Sequence, residues 1–286
     1  MIRDDLHEAN RLSWNAATQA HNSHKVDQAA YFRAGGSTVY PEELELLGDL
    51  DGRTLVQLQC NSGQDTLSLA RMGARVTGVD ISDEAIAFAR RLAEEAGIPA
   101  EFERADVYAW MHDAARAGRR FDRVFSSYGV VCWMSDLRTW ARGIAGILAP
   151  GGCFVLMEFH PAATMLDEEM RITWPYSSGG EPIRTETGVG DYVADSPAGL
   201  APSGFADGVR DFRNPHPCFD FQWGVAEVAQ ALIDAGLRIT QLREWPYSNG
   251  WAMYRGMRAE PGRRFRTPPG VPDLPLIYGI AAEKEG

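Results

Sequence analysis

From Thr54 to Phe159 the chain alternates short apolar runs with stretches of helical period, and no other feature restricts its folding so tightly. Thr54–Leu58 is apolar enough for a buried parallel strand, and Arg75–Val79, Ala100–Arg104, Phe121–Ser126 and Cys153–Phe159 read as further short strands. Helices are expected between them over 64–72, 83–96, about 107–117 and about 137–148. Ser82 suits an N-cap and Gly97 a stop for the second helix. Ala149-Pro150-Gly151-Gly152 is a strong breaker ahead of the fifth strand. Each helix returns the chain to the same end of the sheet, so the strands run in one direction. The expectation is an α/β fold: a doubly wound parallel sheet with helices on both faces.

The first strand breaks at Gln59-Cys60-Asn61-Ser62-Gly63, and the second closes on Asp80. Strand, tight turn, helix, strand and terminal acid outline an adenosine-binding half-site. The turn brings backbone N–H groups to a ligand, and the acid accepts hydrogen bonds from ribose hydroxyls. A dinucleotide needs its pyrophosphate on a glycine-rich helix N-terminus. This turn is poor in glycine and has no cation, which suits a nucleoside without phosphate. An Asp capping the following helix would be the structural reading of Asp80, but Ser82 competes for that role.

Outside residues 54–159 the pattern is looser. Residues 1–50 read as helical, with a break at Gly35-Gly36 and a second helix from Pro41 to Leu47, and are taken as an N-terminal lid. Residues 51–160 form the α/β core. Residues 161–218 are rich in Pro, Gly, Ser and Thr. A structureless loop of that length is rare, so a small β-rich cap is expected there, with Ile172-Thr173-Trp174 and Asp191-Tyr192-Val193 as strand-prone pieces. Residues 219–286 return to the core through a helix over 224–235, a strand over 237–245 and a last strand at Leu276–Ala282.

Composition removes several classes of function. The net charge of −11 argues against a nucleic-acid partner, since phosphate contacts need clustered cations. The arginines at 255, 258, 263, 264 and 266 are broken up by Glu260 and Pro261 and read as a solvated loop. No apolar run nears the ~20 residues of a membrane span. Cys60, Cys132, Cys153 and Cys218 lie far apart, without zinc-site or disulfide spacing. The expectation is a soluble, cytoplasmic protein without metal or membrane partner; the sequence leaves its oligomeric state open.

Five motifs in order then resemble the class I S-adenosylmethionine (SAM) dependent methyltransferases. They are the turn after the first strand, Asp80 after the second, Ala105-Asp106 after the third, Phe121-Asp122 opening the fourth, and Leu148-Ala149-Pro150-Gly151-Gly152 before the fifth. The resemblance is strong over residues 50–160 and extends by pattern over 219–284. It implies a Rossmann-like sheet whose last strand is antiparallel. Where the family's turn carries glycines, Gln59 and Asn61 stand here. Similar Gln-Cys turns occur in a subgroup of small-molecule methyltransferases, and Asn tolerates positive φ.

The resemblance implies SAM as cofactor, held by Tyr31, Gln59, Cys60, Asn61, Gly63, Asp80, Ile81, Ala105, Asp106, Val107 and Ser126. In it Asp106 accepts from the adenine amino group, and Ser126, Ser127, Tyr128 and Gly129 follow the strand beside which the acceptor meets the methyl group. Tyr128, Glu158 and His160 are the catalytic candidates, since a carboxylate inside an apolar strand needs a partner or a purpose. Trp133, Trp174, Trp223 and Tyr128 are expected to wall an aromatic acceptor pocket. Glu158 inclines the reading towards an amine, hence N-methylation of a small, aromatic secondary metabolite by in-line displacement. O-methylation and SAM binding without catalysis are the alternatives.

Overall fold

The computed structural model describes residues 2–286. Three helices open the chain: α1 (Asp4–Ser23), α2 (Gln28–Arg33) and α3 (Pro41–Leu47). The expected alternation follows as β1 (Thr54–Leu58), α4 (Gln64–Arg71), β2 (Arg75–Asp80), α5 (Asp83–Ala96), β3 (Glu101–Arg104), α6 (Val107–Arg116), β4 (Phe121–Ser127), α7 (Leu137–Ile147) and β5 (Leu148–Phe159). Ser82 Oγ accepts from Ala85 N at 3.1 Å to start α5. Gly97, in the left-handed region at φ 69°, ends it.

These five strands are parallel, in the order β3-β2-β1-β4-β5. Adjacent residues of the inner strands enter opposite cores, which is why Thr54–Leu58 reads as an apolar run, whereas the edge strand β3 buries only Phe102. Val56, Val124 and Phe154 pack with Trp140 and Ile144 of α7 on one face. Leu55, Phe125 and Val155 pack with Leu46 and Leu47 of α3 and Leu69 of α4 on the other.

The fifth strand begins earlier than the breaker suggested. Its first residue, Leu148, pairs with Phe121, and the register then shifts so that Arg123 faces Cys153. The Pro-Gly-Gly sequence is carried outward as an irregularity within the strand rather than a loop before it. Gly151 takes φ 71° there.

After β5 come α8 (Pro161–Thr164), β6 (Ile183–Thr185), α9 (Tyr192–Asp195), α10 (Pro197–Leu200) and β7 (Cys218–Asp220). Strands β6 and β7 pair antiparallel, as a small β-rich insertion should. The strand expected at 191–193 is instead a helical turn, because Asp191 Oδ1 caps Ala194 N. Next are α11 (Val225–Asp234), β8 (Leu237–Trp245), β9 (Ser248–Asn249), β10 (Arg258–Glu260), β11 (Arg264–Arg266) and β12 (Ile277–Lys284). Between β8 and β12 lies a three-stranded sheet, β10-β11-β9, for which the sequence reading holds no strand expectation. Strand β12 inserts between β5 and β8, antiparallel to both. Among the described residues no helix is long and apolar enough to cross a membrane.

Candidate active site

The carboxyl ends of β1, β2 and β4 open under α1, and the space between them is a cavity of ≈ 1130 Å³. Its walls include those strand ends, the first two helices, Tyr40, residues between 161 and 223, residues 249–255 and Arg263.

The turn after β1 reverses the chain through left-handed backbone at alternate residues: Gln59 (φ 56°), Asn61 (49°) and Gly63 (78°). At the first two, an L side chain costs about 1–2 kcal/mol. Side-chain bonds offset that cost. Gln59 Nε2 donates to Val130 O at 2.9 Å, and Asn61 Oδ1 accepts from Ser62 N at 2.7 Å. Gln59 Oε1 is buried without a partner. A side chain at Gly63 or Gly78 would run into Phe102, so both glycines are required by packing. Cys60 fills the same cluster and is held as a thiol by burial.

Asp80 closes β2 with both oxygens occupied by backbone: Oδ2 accepts from Asn61 N and Oδ1 from Ser82 N, each at 2.8 Å. Burial nevertheless lifts its pKa to about 6, against those two N–H groups. Asp106 caps α6 through Tyr108 N at 2.8 Å, and its Oδ2 meets His7 Nδ1 at 2.8 Å. His7 Nε2 reaches Ser135 Oγ at 2.9 Å, and the ring stacks on Tyr108. Burial would raise Asp106, but His7 and the backbone donors outweigh it and hold the carboxyl below its ordinary value. Ile81, Val107 and Tyr31 also line the cavity. Tyr31 brings only its ring, since its hydroxyl donates to Ser37 O at 2.7 Å.

Helix α1 roofs the cavity along its length. Trp14 meets Trp133 edge-on at 5.6 Å, and Asn22 Nδ2 donates to Ser62 Oγ at 2.8 Å. His21 binds Gly190 O through Nε2 at 2.8 Å, and burial pushes its pKa down to about 4, so the ring is neutral. Lys25 reaches the same space, and burial lowers it to about 8, opposed by the Asp65 carboxylate. Tyr192, which the sequence offered as part of a strand, packs on His21 at 4.1 Å.

Several expected site residues stand elsewhere. The Glu158 carboxylate accepts from Gly129 N, Val130 N, Val131 N and Phe159 N, at 2.5–3.0 Å. Its purpose inside an apolar strand is to clamp the turn that follows β4. Burial raises its pKa against those four donors. It borders the cavity, but its oxygens are spent on backbone, which removes the ground for an ammonium partner there.

His160 is outside the cavity wall: Nδ1 accepts from Ala162 N at 3.0 Å as the cap of α8, and Nε2 meets Glu244 at 3.0 Å. Ser126 is buried on the wrong side of β4, and alternation turns Ser127 to the cavity instead. Ala105 and Gly63 also lie off the wall, and Ala105 contributes a backbone bond to Asp80 O at 2.9 Å. Tyr128, Trp133, Trp174 and Trp223 do line the cavity.

Sequence reading missed His7, Lys25, Tyr40, Asp220, Asn249 and Arg263, which share that wall. His7 lies on α1 and Tyr40 caps α3, while Lys25, Asp220, Asn249 and Arg263 come from irregular or short-stranded segments where nothing local marks a residue as facing inward. Asp220 stands beside Cys132, and burial lifts it to about 6. Among the described residues no group of three or more His, Cys, Asp or Glu side chains is placed to hold a metal ion.

Residues 56–152 match the model of a family described as a methyltransferase domain. The ubiquinone biosynthesis O-methyltransferase of Methylobacterium sp. (strain 4-46) is 37% identical over 105 residues, or 37% of this chain and 40% of that protein. The chain thus matches well under half the length of that relative. A SAM-dependent methyltransferase structure from Mesorhizobium loti is similar over 87% of this chain and 99% of its own, with a TM-score of 0.55 and 22% identity. The CcbJ methyltransferase of Streptomyces caelestis is similar over 97% of this chain and 99% of its own, with a TM-score of 0.58 and 13% identity. At those identities the two structures speak to the fold.

Proposed function

We propose that this protein, whose residues 56–152 match the model of a methyltransferase domain and whose fold is shared with SAM-dependent methyltransferase structures, moves a methyl group from SAM to an oxygen of a small-molecule acceptor. The cavity at the strand ends carries the reading. It joins the Asp80 and Asp106 carboxylates to the Tyr128 turn and the aromatic wall beyond. At ≈ 1130 Å³ it exceeds the ~300–1,000 Å³ of a site for one small ligand, so nucleoside and acceptor share one room.

The residues present fit SAM. Asp80 offers its remaining lone pairs to ribose hydroxyls, Ile81 and Val107 give apolar flanks for adenine, and Asp106 stands at the adenine end. Gln59 Oε1 is an orphaned acceptor suited to an ammonium. Lys25, with no ion pair among the described residues, suits a carboxylate. When bound, the cofactor supplies a methyl carbon already activated by sulfonium. The protein's part is then to align the nucleophile and exclude water, which the roof of α1 and the insertion accomplish.

Oxygen is favoured over nitrogen because Glu158 is occupied by backbone, and the first curated relatives are named as O-methyltransferases. One observation supports an amine instead: Asp220 lines the cavity near Trp223, and such a carboxylate beside aromatics suits a cation. A panel of phenols, alcohols and aryl amines with labelled SAM decides between them. Transfer to hydroxyls alone is expected. Transfer to amines alone overturns the oxygen reading, and failure to bind either SAM or its demethylated product overturns the enzyme itself.

A further inference from the structure

We propose that Asp220 binds an ammonium group of the acceptor, which makes the substrate a small hydroxylated amine, gripped by its nitrogen while its hydroxyl is methylated. The inference rests on the oxygen-transfer reading above. Strands β6 and β7 pair with Ile183 opposite Asp220, Arg184 opposite Phe219 and Thr185 opposite Cys218. Directly opposed residues share a face of such a pair, and neighbours along a strand alternate. Ile183, Thr185, Cys218 and Asp220 therefore form one face, and all four stand on the cavity wall. Arg184 and Phe219 form the other, where the guanidinium lies 5.7 Å from the ring centre.

That division leaves Asp220 without a cation. Arg184, the basic residue of the pair, is turned away and bound to Glu186 at 2.9 Å. Of the other basic groups on the wall, Arg255 is taken by Glu168 and Glu169. Arg263 is held by the carbonyls of Gly199 and Thr38 and by the Tyr40 ring. His7 and His21 are bound to Asp106 and to Gly190 O. Among the described residues no donor of another residue bonds the Asp220 carboxylate, and no cation, Lys25 included, pairs with it. Burial lifts its pKa to about 6, opposed by its own N–H. A half-buried carboxylate without a partner costs stability, so its place on a cavity wall marks it for a ligand.

The backbone on either side of Asp220 is fixed. Asn10 of α1 grips the residue before it twice: Nδ2 donates to Phe219 O at 2.8 Å, and Oδ1 accepts from Phe219 N at 2.7 Å. The residue after it, Phe221, donates its N–H to Cys132 O at 2.7 Å. Cys132 belongs to a single 3₁₀ turn, Val131–Trp133, which continues the Tyr128 turn clamped by Glu158. Asp220 is thereby set at a constant remove from the place where acceptor meets methyl group. Trp223 stacks on Phe221 at 6.1 Å, its Nε1 donating to Met134 O at 2.9 Å, and both rings line the cavity. A carboxylate among aromatic faces suits an alkylammonium. The ion pair also decides which atom reacts. An ammonium has no free electron pair, so the nitrogen that Asp220 keeps protonated cannot attack carbon, while a hydroxyl on the same molecule retains its pairs.

Tyramine, para-propylphenol and para-hydroxyphenylpropionate share a phenol and differ in the charge at the far end, so they probe the class of acceptor. Calorimetry on protein loaded with S-adenosylhomocysteine measures their binding. Wild-type protein is expected to bind tyramine about ten- to a hundredfold more tightly than para-propylphenol, as a charge-assisted bond implies, and the propionate least. Asp220→Asn should erase that order, leave the affinities for para-propylphenol and S-adenosylhomocysteine unchanged, and melt no lower than wild type, since no bond within the protein is lost. Ile183→Lys, which sets an amine directly across from Asp220, should erase the order as well, whereas Ile183→Met should keep it. The anchor is overturned if tyramine fails to outbind para-propylphenol, if its preference survives Asp220→Asn, if that variant fails to fold, or if a labelled methyl group is found on tyramine's nitrogen. If neither SAM nor S-adenosylhomocysteine binds, the methyl-transfer reading fails by itself, and the same comparison on nucleoside-free protein still judges Asp220.

Discussion

Glu158 offers the sharpest test, because proton chemistry and turn clamping foresee different outcomes. Its two oxygens collect four backbone N–H groups at 2.5–3.0 Å. Each such bond to a charged acceptor is worth about 1.5–3 kcal/mol, and part of the sum is offset by the cost of burying a carboxylate. For Glu158→Ala the net loss should be about 3–5 kcal/mol. At ~2–4 °C per kcal/mol, Tm falls by about 6–20 °C. Glu158→Gln keeps one carbonyl oxygen for two of the donors and sets an NH2 against the other two, so about half the loss is expected. Because Gln59 hangs on Val130 O in the same turn, SAM affinity should fall with stability. Calorimetric scans with SAM titrations on both variants measure this. If Glu158→Gln keeps Tm within about 1 °C and binds SAM normally, yet transfers no methyl, the clamp reasoning is wrong and Glu158 is the acid–base group.

Three further outcomes follow from the site. Asp80 is lifted to about 6 by burial, and ribose hydroxyls bind best to its ionised form; affinity for S-adenosylhomocysteine should be level above pH 7 and fall about tenfold per unit below 6. Asp80→Asn should bind weakly without that slope, and a flat wild-type titration over pH 5–8 removes Asp80 from the contact. Gly78→Ala would set a methyl 2.7 Å from the Phe102 ring and 2.8 Å from Cys60 Sγ, costing about 1–3 kcal/mol in denaturant unfolding; pairing it with Phe102→Leu should recover part of the loss, and no recovery refutes the steric cause. Gln59→Gly relieves about 1 kcal/mol of left-handed strain and forfeits one hydrogen bond of similar worth; thermal melting should move by no more than about 3 °C, and a larger fall means the amide holds more than this turn.

Sequence order made the sheet and its cofactor end readable, because local rules and tertiary packing agree there. Helix 83–96 was legible to the residue: Ser82 and Gly97 are both capping signals and structural stops. The same logic placed Asp80 and Tyr128 on the cavity. Glu158 was recognised as too polar for its strand, yet the partner that explains it is three N–H groups some thirty residues upstream, which no local pattern announces. Ser126 and Ser127 were indistinguishable until the pleat assigned one to each face. The cap was the least readable part. Its Asp191-Tyr192-Val193 has strand-forming side chains, but one aspartate bond to Ala194 N turned it into a helix.

The placement of β12 between β5 and β8 bears on how the protein is made. Residues 277–284 are synthesised after both strands they join, so on the ribosome β5 and β8 each wait with an unpaired margin facing the gap. That margin of β5 runs up to Phe159, against the Glu158 clamp, so the active-site turn is last to gain its lateral support. Nascent chains stalled before residue 277 should therefore be protease-sensitive and prone to stick to one another, whatever the quality of the nucleoside half already formed.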